Sequence, residues 1–252
     1  IYIASLTGNL TNTGVIYGST SAIKIVSTGT PKSVYNCGLL VTGGGEVVEG
    51  TVDFAHNYGL AFKVDGTKYS ASTEVDSNDN SDFSNFGTIS GDDKYTVINA
   101  KAIGESATEI EGTDSITLKD GSFSYLDSKD SEQTERISSD KKYVLNGITD
   151  TLFVSIGENN QLDNSMINAY KTAIKFNDDG GNLTLSGTIV NGGADRSSTV
   201  IAGGNGADTL TLQNGTIING IIDGGTGNDT LNFGDSAIVK AKSALNNDEI
   251  GI

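Results

Sequence analysis

Short runs of apolar and β-branched residues, each ended by glycine, asparagine or aspartate, dominate the chain. The clearest runs lie in its last third, at residues 183–185, 188–190, 199–201, 209–212, 216–218, 221–222 and 230–233. Apolar residues almost nowhere recur at the three- and four-residue spacing of an amphipathic helix. Strands this short are poorly suited to a sandwich, and they suit a solenoid in which every coil turns two or three corners. The pattern therefore predicts an all-β solenoid.

Repetition supports a solenoid. Residues 10–25 resemble residues 162–176 once a single-residue gap is allowed, and Gly-Thr-[Ile/Val] recurs at Gly50, Gly87, Gly187 and Gly215. Chance recurrence is the alternative for the short phrase, because the chain is rich in these residues. At ~21 residues per coil and ~4.8 Å between stacked strands, the sequence predicts about twelve coils in a rod about 55 Å long.

The repeat signal weakens in the middle of the chain. Residues 1–59 and 152–252 are predicted to form solenoid coils, the latter with corners rich in glycine and aspartate. Between residues 60 and 151 glycines are fewer and charged residues are more frequent, so we expect irregular coils with long loops or a small inserted β subdomain. The acidic, serine-rich runs at 76–82 and 127–135 are predicted to be exposed loops.

Composition limits the classes of partner. The chain has 32 acidic and 16 basic residues and a net charge of -16, which argues against binding to nucleic acid or anionic lipid. No apolar run approaches the ~20 residues of a membrane-spanning helix, so this fragment is not expected to insert into a membrane. The single cysteine, Cys37, excludes a disulfide within the chain and is expected to be a small buried residue.

Two stretches match a calcium-binding nonapeptide. Gly-Gly-x-Gly-x-Asp-x-Leu-x occurs at residues 203–211 and again 21 residues later, at 224–232. The candidate metal-site residues are Gly204, Gly206, Asp208, Gly225, Gly227 and Asp229. Calcium rolls repeat this motif every nine residues, whereas these copies lie one coil apart, where Asp208 and Asp229 would stack. A shared calcium site therefore stays an alternative, and we expect glycine-rich corners with aspartate as a turn-forming acceptor, without a cofactor.

Candidate catalytic residues are scarce. His56 is the only histidine, and no metal-ligand spacing or nucleophile motif surrounds it. The adjacent aspartate pairs at 92–93 and 178–179 lie in predicted turns, where solvation accounts for them better than acid-base chemistry. We therefore expect no catalytic site and no enzymatic activity.

Residues 9–25 and 172–234 resemble the passenger regions of Gram-negative autotransporters and related large bacterial surface adhesins. The phrases that carry the resemblance are Asn-x-Gly-x-Ile-x-Gly and Asp-Thr-Leu-x-Leu with Gly-Gly-x-Gly-Asn-Asp-Thr-Leu. In that family they mark successive coils of a right-handed parallel β-helix. The resemblance implies this fold and a secreted protein of the bacterial cell surface.

The function that follows from the resemblance is an adhesive or structural scaffold. Loops projecting from the β-helix would bind a ligand on a host or bacterial surface, or mediate self-association between cells. Two alternatives remain: a calcium-dependent surface-layer or repeat-toxin (RTX-type) protein, and a β-helical carbohydrate-active enzyme. Tandem nonapeptides would favour the first alternative, and a groove lined by several carboxylates would favour the second.

Overall fold

The predicted all-β solenoid is confirmed. The computed structural model describes residues 1–4, 8–26, 33–43, 47–52, 54–65, 68–71, 75–77, 95–100, 116–127, 130–147, 150–158, 160–193 and 199–240. Their regular structure consists of 28 strands, with no helix in these ranges and hence no helix that could span a membrane. The longest strands have six residues, as expected where glycine and asparagine end every apolar run.

Eleven strands form a first stack of coils, here called the N-stack. They are β1 (Tyr2–Ile3), β2 (Leu10–Asn12), β3 (Val15–Gly18), β4 (Ile23–Ile25), β5 (Ser33–Asn36), β6 (Leu39–Thr42), β7 (Val48–Val52), β8 (Phe54–Asn57), β9 (Leu60–Asp65), β10 (Lys68–Ala71) and β11 (Val75–Ser77). Parallel pairing assembles three sheets, β1-β4-β7-β11, β2-β5-β8 and β3-β6-β9, and β10 adds to β9 in antiparallel orientation. Each coil therefore gives one strand to each sheet.

The remaining strands form a second stack, here called the C-stack. They are β12 (Thr96–Asn99), β13 (Ile116–Lys119), β14 (Ser122–Leu126), β15 (Glu132–Arg136), β16 (Tyr143–Gly147), β17 (Asp150–Val154), β18 (Gln161–Asp163), β19 (Met166–Ala169), β20 (Thr172–Phe176), β21 (Gly181–Ser186), β22 (Ile189–Asn191), β23 (Ile201–Ala202), β24 (Asp208–Gln213), β25 (Ile217–Asn219), β26 (Ile222–Asp223), β27 (Thr230–Phe233) and β28 (Ile238–Lys240). Again they make three sheets. We call β12-β16-β19-β22-β25-β28 the interface sheet and β15-β14-β13-β17-β20-β23-β26 the hairpin sheet; the third is β18-β21-β24-β27.

Asparagine side chains link the N-stack coils at one corner. Nδ2 of Asn12 donates to Oδ1 of Asn36 at 2.7 Å, and Nδ2 of Asn36 donates to Oδ1 of Asn57, also at 2.7 Å. Each asparagine is buried and begins an Asn-x-Gly corner. A Cβ on Gly38 or Gly59 would lie within 2.2 Å of a carbonyl oxygen one coil earlier, so only glycine fits between the stacked corners.

A second asparagine ladder runs along the interface sheet of the C-stack. Its members are Asn99, Asn146, Asn168, Asn191 and Asn219. From Asn146 onward, each Nδ2 donates to Oδ1 of the asparagine one coil earlier, at 2.7 to 3.0 Å. Three members use their other amide hydrogen on a backbone carbonyl of the N-stack: Asn146 on Tyr58 at 3.0 Å, Asn168 on Cys37 at 3.0 Å and Asn191 on Thr13 at 2.9 Å. The two stacks are thus joined coil by coil.

These bonds fix the direction of the two stacks. As the C-stack advances along the chain, it meets the N-stack coils in reverse order, from the corner of Tyr58 back to the corner of Thr13. The stacks therefore lie side by side and run in opposite directions. The predicted single rod of about twelve coils is wrong, because the described residues form about seven turns and these are divided between two stacks. Asparagines paired one coil apart are separated by 21 to 28 residues, and Asn99 and Asn146 by 47, so coils also contain more residues than expected.

Both faces of the interface sheet are buried at β16 and β19. On β16, Leu145 points into the C-stack core, while Val144 points the other way and packs with Cys37, Tyr58 and Met166 between the stacks. Cys37 is buried there, as expected. Val144 and Asn146 are two residues apart and therefore lie on the same face of β16. The same strand thus contributes an apolar contact and an amide of the ladder to the interface between the stacks.

The asparagine ladder generates a stability prediction. Asn168→Leu removes the donor to both Asn146 Oδ1 and Cys37 O and the acceptor of Asn191 Nδ2, all buried. We expect a loss of about 3 kcal/mol or more in the free energy of unfolding, because each orphaned buried group costs about 1–3 kcal/mol. Urea unfolding measures it.

The matched control is Asn219→Leu at the end of the ladder. Asn219 is only half-buried, and its replacement leaves one acceptor, Asn191 Oδ1, without its donor. We expect it to cost less than half as much as Asn168→Leu. Equal losses for the two variants would show that the ladder does not carry the stability assigned to it.

Candidate functional site

The two predicted calcium motifs form stacked corners of the C-stack. They lead from β23 to β24 and from β26 to β27, and Thr209 pairs with Thr230 in register. Asp208 consequently lies one coil from Asp229, as the 21-residue spacing indicated. The backbone amide of Asp208 donates to Oδ1 of Asp229 at 3.0 Å. The aspartates thus connect adjacent corners directly.

Close backbone contact accounts for the glycines of both motifs. A Cβ would lie 2.3 Å from Asn177 O at Gly204, and 2.4 Å from Gly180 N at Gly206. In the next coil, Gly225 and Gly227 have φ angles of 78° and 133°, and a Cβ on them would lie 2.3 and 2.5 Å from the carbonyl oxygens of Gly204 and Gly206. These positions need glycine for stacking alone. The corner interpretation therefore explains the motif without a ligand.

The carboxyl group of Asp208 is buried, which disfavours its ionised form. Its side chain is 5% exposed, and Oδ2 accepts a hydrogen bond from the Gly204 amide at 2.8 Å. Oδ1 is buried without a hydrogen-bond partner among the described residues. Burial raises the pKa of the Asp208 carboxyl above its usual value; the Gly204 amide opposes this, and the nearby Asp229 carboxylate adds to it.

The donor set around the two aspartates is small for calcium. Calcium takes six to eight oxygen ligands, and Asp208 and Asp229 supply two carboxylates, each with one oxygen already accepting a backbone amide. Within the described ranges, no group of three or more His, Cys, Asp or Glu side chains is placed to hold a metal. The geometry favours a structural corner, and calcium binding stays an alternative to be tested.

An open cavity adjoins these corners at the end of the C-stack. Its volume is about 570 Å³, and its walls combine Asp208 and Asp229 with the apolar side chains of Leu210, Leu231 and Val239. Leu210 is buried, whereas Leu231 and Val239 are half-buried because they belong to the last described coil. The cavity is thus the uncovered interior of that coil.

A different feature projects from the other end of the hairpin sheet. β13 and β14 are joined by Asp120 and Gly121, whose φ angles of 49° and 71° fit a two-residue type I′ turn. β14 then pairs with β15 in antiparallel orientation, so that this hairpin extends the sheet beyond the coils. Exposure alternates along β15, with Glu132, Thr134 and Arg136 exposed.

A polar groove lies at the base of this hairpin. It measures about 320 Å³, and its polar lining comprises Asp120, Arg136, Ser138, Ser139, Tyr143, Gln161 and Asp163. Tyr143 holds it in shape: its hydroxyl donates to Arg136 O at 3.3 Å and accepts from the Ser138 amide at 3.1 Å. The Tyr143 ring meets Phe123 edge-on at 5.2 Å. Gln161 Nε2 donates to both carboxylate oxygens of Asp163, at 2.9 and 3.2 Å. The groove therefore offers the Arg136 guanidinium as a donor and carboxylate and amide oxygens as acceptors to a polar ligand.

The structure confirms some of the remaining predictions from the sequence and contradicts one. Asp178 and Asp179 lie in an exposed turn, as expected. His56 lies on β8, and its side chain is outside the described ones, as are residues 92–93. The prediction of exposed loops at 127–135 is wrong for residues 132–135, which belong to β15, because all four pair with β14. In the run at 76–82, Asp76 and Ser77 belong to β11, and the rest lies outside the described residues.

The sequence analysis did not predict the β13–β14 turn or the β14–β15 hairpin that follows it, and it therefore did not identify Arg136. A signal was present, since Asp-Gly between two alternating runs is a strong indicator of a two-residue hairpin turn. The repeated Asn-x-Gly at 12–14, 36–38 and 57–59 was also a signal for the N-stack corners. Both are local patterns of two or three residues, shorter than the repeats that predict the solenoid.

Comparison with protein-family models, with curated proteins and with solved structures gives no match. The fold agrees with the solenoid architecture that the sequence resemblance implies.

The raised pKa of Asp208 generates a pH prediction. Because burial disfavours the ionised form in the folded protein, the charge destabilises the fold at neutral pH, and this cost is relieved as pH falls and the folded carboxyl takes up a proton. We expect the stability of the wild type relative to Asp208→Asn to rise as pH is lowered from about 7 to about 4. Urea unfolding across this range, with Asp178→Asn as the exposed-turn control, measures it; a constant difference would contradict it.

The corner interpretation predicts no specific response to calcium. About 10 mM CaCl2 should change the melting temperature no more than MgCl2, or NaCl at equal ionic strength, because only a ligand that binds the folded state stabilises it. A weak site, with a dissociation constant of roughly 0.1–1 mM, would instead add about 1.5–3 kcal/mol. A calcium-specific rise that disappears in the double variant Asp208→Asn, Asp229→Asn would place the protein in the calcium-dependent class.

Proposed function

We propose that this chain is a scaffold segment of a secreted bacterial cell-surface protein, and that its β14–β15 hairpin binds a ligand on a host or bacterial surface. The observation that carries the proposal is the hairpin itself, which leaves the solenoid at one end of the hairpin sheet and has a polar groove at its base. Binding residues are commonly found where irregular segments leave a rigid scaffold.

The scaffold part of the proposal rests on how the stacks are held together. Hydrogen bonds between buried asparagines join each coil to the next and join the two stacks to each other. Such a framework can hold a projecting hairpin at a fixed position. The net charge of -16 is typical of a very soluble exported protein and disfavours polyanionic ligands.

The chemistry of the groove favours a neutral, hydroxyl-rich ligand such as a surface glycan. Arg136 is exposed and supplies several donors, and the Gln161 amide oxygen and the Asp120 and Asp163 carboxylates supply acceptors. Gln161 Nε2 and the Ser138 hydroxyl already donate to Asp163 and Asp140. Sugar hydroxyls can satisfy both kinds of group. The resemblance to autotransporter passengers supports the cell-surface location and is independent of the groove.

Two variants test the binding role of the hairpin. Arg136→Ala removes the cation of the groove, and Lys175→Ala removes a cation from an exposed position of β20 in the same sheet. We expect Arg136→Ala to weaken binding of the purified chain to target cells or a glycan array by about tenfold or more, because losing a hydrogen bond to a charged group costs about 1.5–3 kcal/mol.

Lys175→Ala is expected to bind like the wild type, because Lys175 does not line the groove. Melting curves of both variants check that the fold is retained. If Arg136→Ala binds as tightly as Lys175→Ala, the groove is not the binding site. The enzyme alternative stays open, because no observation on the described residues favours it over binding.

A further inference from the structure

Asparagine followed directly by glycine occurs five times in the chain. The pairs begin at Asn146, Asn191, Asn205, Asn214 and Asn219. In such a pair the backbone nitrogen of the glycine can attack the asparagine side chain, because glycine has no Cβ to hinder the approach and its backbone rotates readily. The attack needs an accessible side chain, an unbonded glycine amide and room for the peptide to turn. The fold therefore decides which of the five pairs can react.

The side chains of the five pairs differ in exposure. Asn146 and Asn191 are members of the ladder with 0% exposure, and both donate to carbonyls of the N-stack. Asn219 is half-buried at the end of the ladder, whereas Asn205 and Asn214 are exposed. Only the last two therefore present their carboxamide fully to solvent.

The surroundings of the glycines separate these two pairs. A Cβ on Gly206 would lie 2.4 Å from Gly180 N, and Oδ1 of Asn205 already accepts a hydrogen bond from Thr226 Oγ1 at 3.2 Å. A Cβ on Gly215 would meet no described atom within 4 Å. A Cβ would lie 2.7 Å or less from another atom at each of the three remaining glycines, Gly147, Gly192 and Gly220. Among the described residues, open space thus surrounds only the glycine that follows Asn214.

Asn214 and Gly215 are the central residues of the corner between β24 and β25. Their φ angles of 49° and 76° fit a type I′ turn, which the Thr216 amide closes by donating to Gln213 O at 3.0 Å. The Gly215 amide donates no hydrogen bond within the described part of the chain. β24 pairs with β21 on one side and with β27 on the other, so the corner is internal to the C-stack. All three requirements for the attack are therefore met at this corner.

We propose that Asn214 is a site of spontaneous modification in the folded protein, through a cyclic imide formed with Gly215. The Gly215 nitrogen bonds to Cγ of Asn214 while the Cγ–Nδ2 bond breaks, and Nδ2 leaves as ammonia with the proton of the Gly215 amide. Water then opens the imide. Cleavage of the new bond to Cγ gives aspartate, and cleavage of the bond to the backbone carbonyl carbon gives isoaspartate.

The modification changes the corner and spares the interface between the stacks. It adds one negative charge to a chain whose net charge is already -16. It also removes Nδ2 of Asn214, which donates to Oγ of Ser186 in the preceding coil at 2.8 Å, and isoaspartate lengthens the backbone by one methylene. The same reaction at Asn146 or Asn191 would remove donors that join the two stacks. Burial of those pairs thus preserves the ladder.

Peptide mapping of the folded full chain tests the proposal. The protein is kept in mildly alkaline buffer, where deprotonation of the glycine amide speeds the attack, and digested samples are followed by mass spectrometry. We expect Asn214 to be modified at least about tenfold faster than Asn146 or Asn191, because those two react only after local opening of the interface. In urea the five pairs should react at similar rates. Equal rates at Asn214 and Asn146 in the folded protein overturn the proposal.

Asn164 provides a matched control. It is exposed, has a φ angle of 48° and lies in the same column of corners two coils earlier, but Ser165 follows it. Asn214→Gln should abolish the first acidic species seen by isoelectric focusing, and Asn164→Gln should leave it at the wild-type rate; melting curves check that both variants fold.

The chemical product gives a further readout. The modified wild-type peptide should contain isoaspartate, because the imide yields it and direct hydrolysis of the side chain does not. Aspartate alone, or an acidic species that persists in Asn214→Gln, overturns the proposal. These measurements use no ligand, so the proposal is independent of the binding role of the hairpin.

Discussion

The hydrogen bond between asparagine side chains one coil apart is the interaction on which both stacks depend. A primary amide has two donor hydrogens and an accepting oxygen, and the ladder uses one donor and the acceptor. The remaining donor is directed differently in the two stacks. Asn12 and Asn36 use it on carbonyls of the next N-stack coil, Leu39 and Leu60, whereas Asn168 uses it on Cys37 of the other stack. Asparagine side chains therefore join the coils within a stack and also join the two stacks to each other.

The hydrogen bond between asparagines one coil apart constrains the rise per coil in both stacks. Because successive C-stack asparagines must contact successive N-stack corners, the two stacks need the same rise per coil. Glycine at the Asn-x-Gly corners keeps the rise at the separation of hydrogen-bonded strands, since a Cβ on Gly38 or Gly59 would meet backbone of the coil before it. Extra residues are then accommodated outside the ladders, as in the β14–β15 hairpin, which leaves the register of β13 with β17 intact.

The solenoid could be predicted from the sequence because the short apolar runs, and the glycine, asparagine or aspartate residues that end them, are local features. The stacking of Asp208 on Asp229 followed from a spacing of 21 residues, and it is present. The reversal between stacks could not be predicted, because Val144 faces the other stack and Leu145 faces the core, and a strand buried on both faces gives a continuous apolar run whatever covers it. The groove was missed because Arg136 and Asp163 are distant in sequence and meet only through the fold.

The opposite directions of the two stacks have a mechanical consequence. Residue 1 and residue 240 belong to coils at the same end of the molecule, so a pulling force applied between them acts on the free edges of neighbouring coils. Such a load would open the strand pairs one after another, each at a low force. A single rod pulled from its two ends would instead load its coils in series along the axis. A protein built this way is suited to carry tension across its folded body rather than between these two positions of the chain.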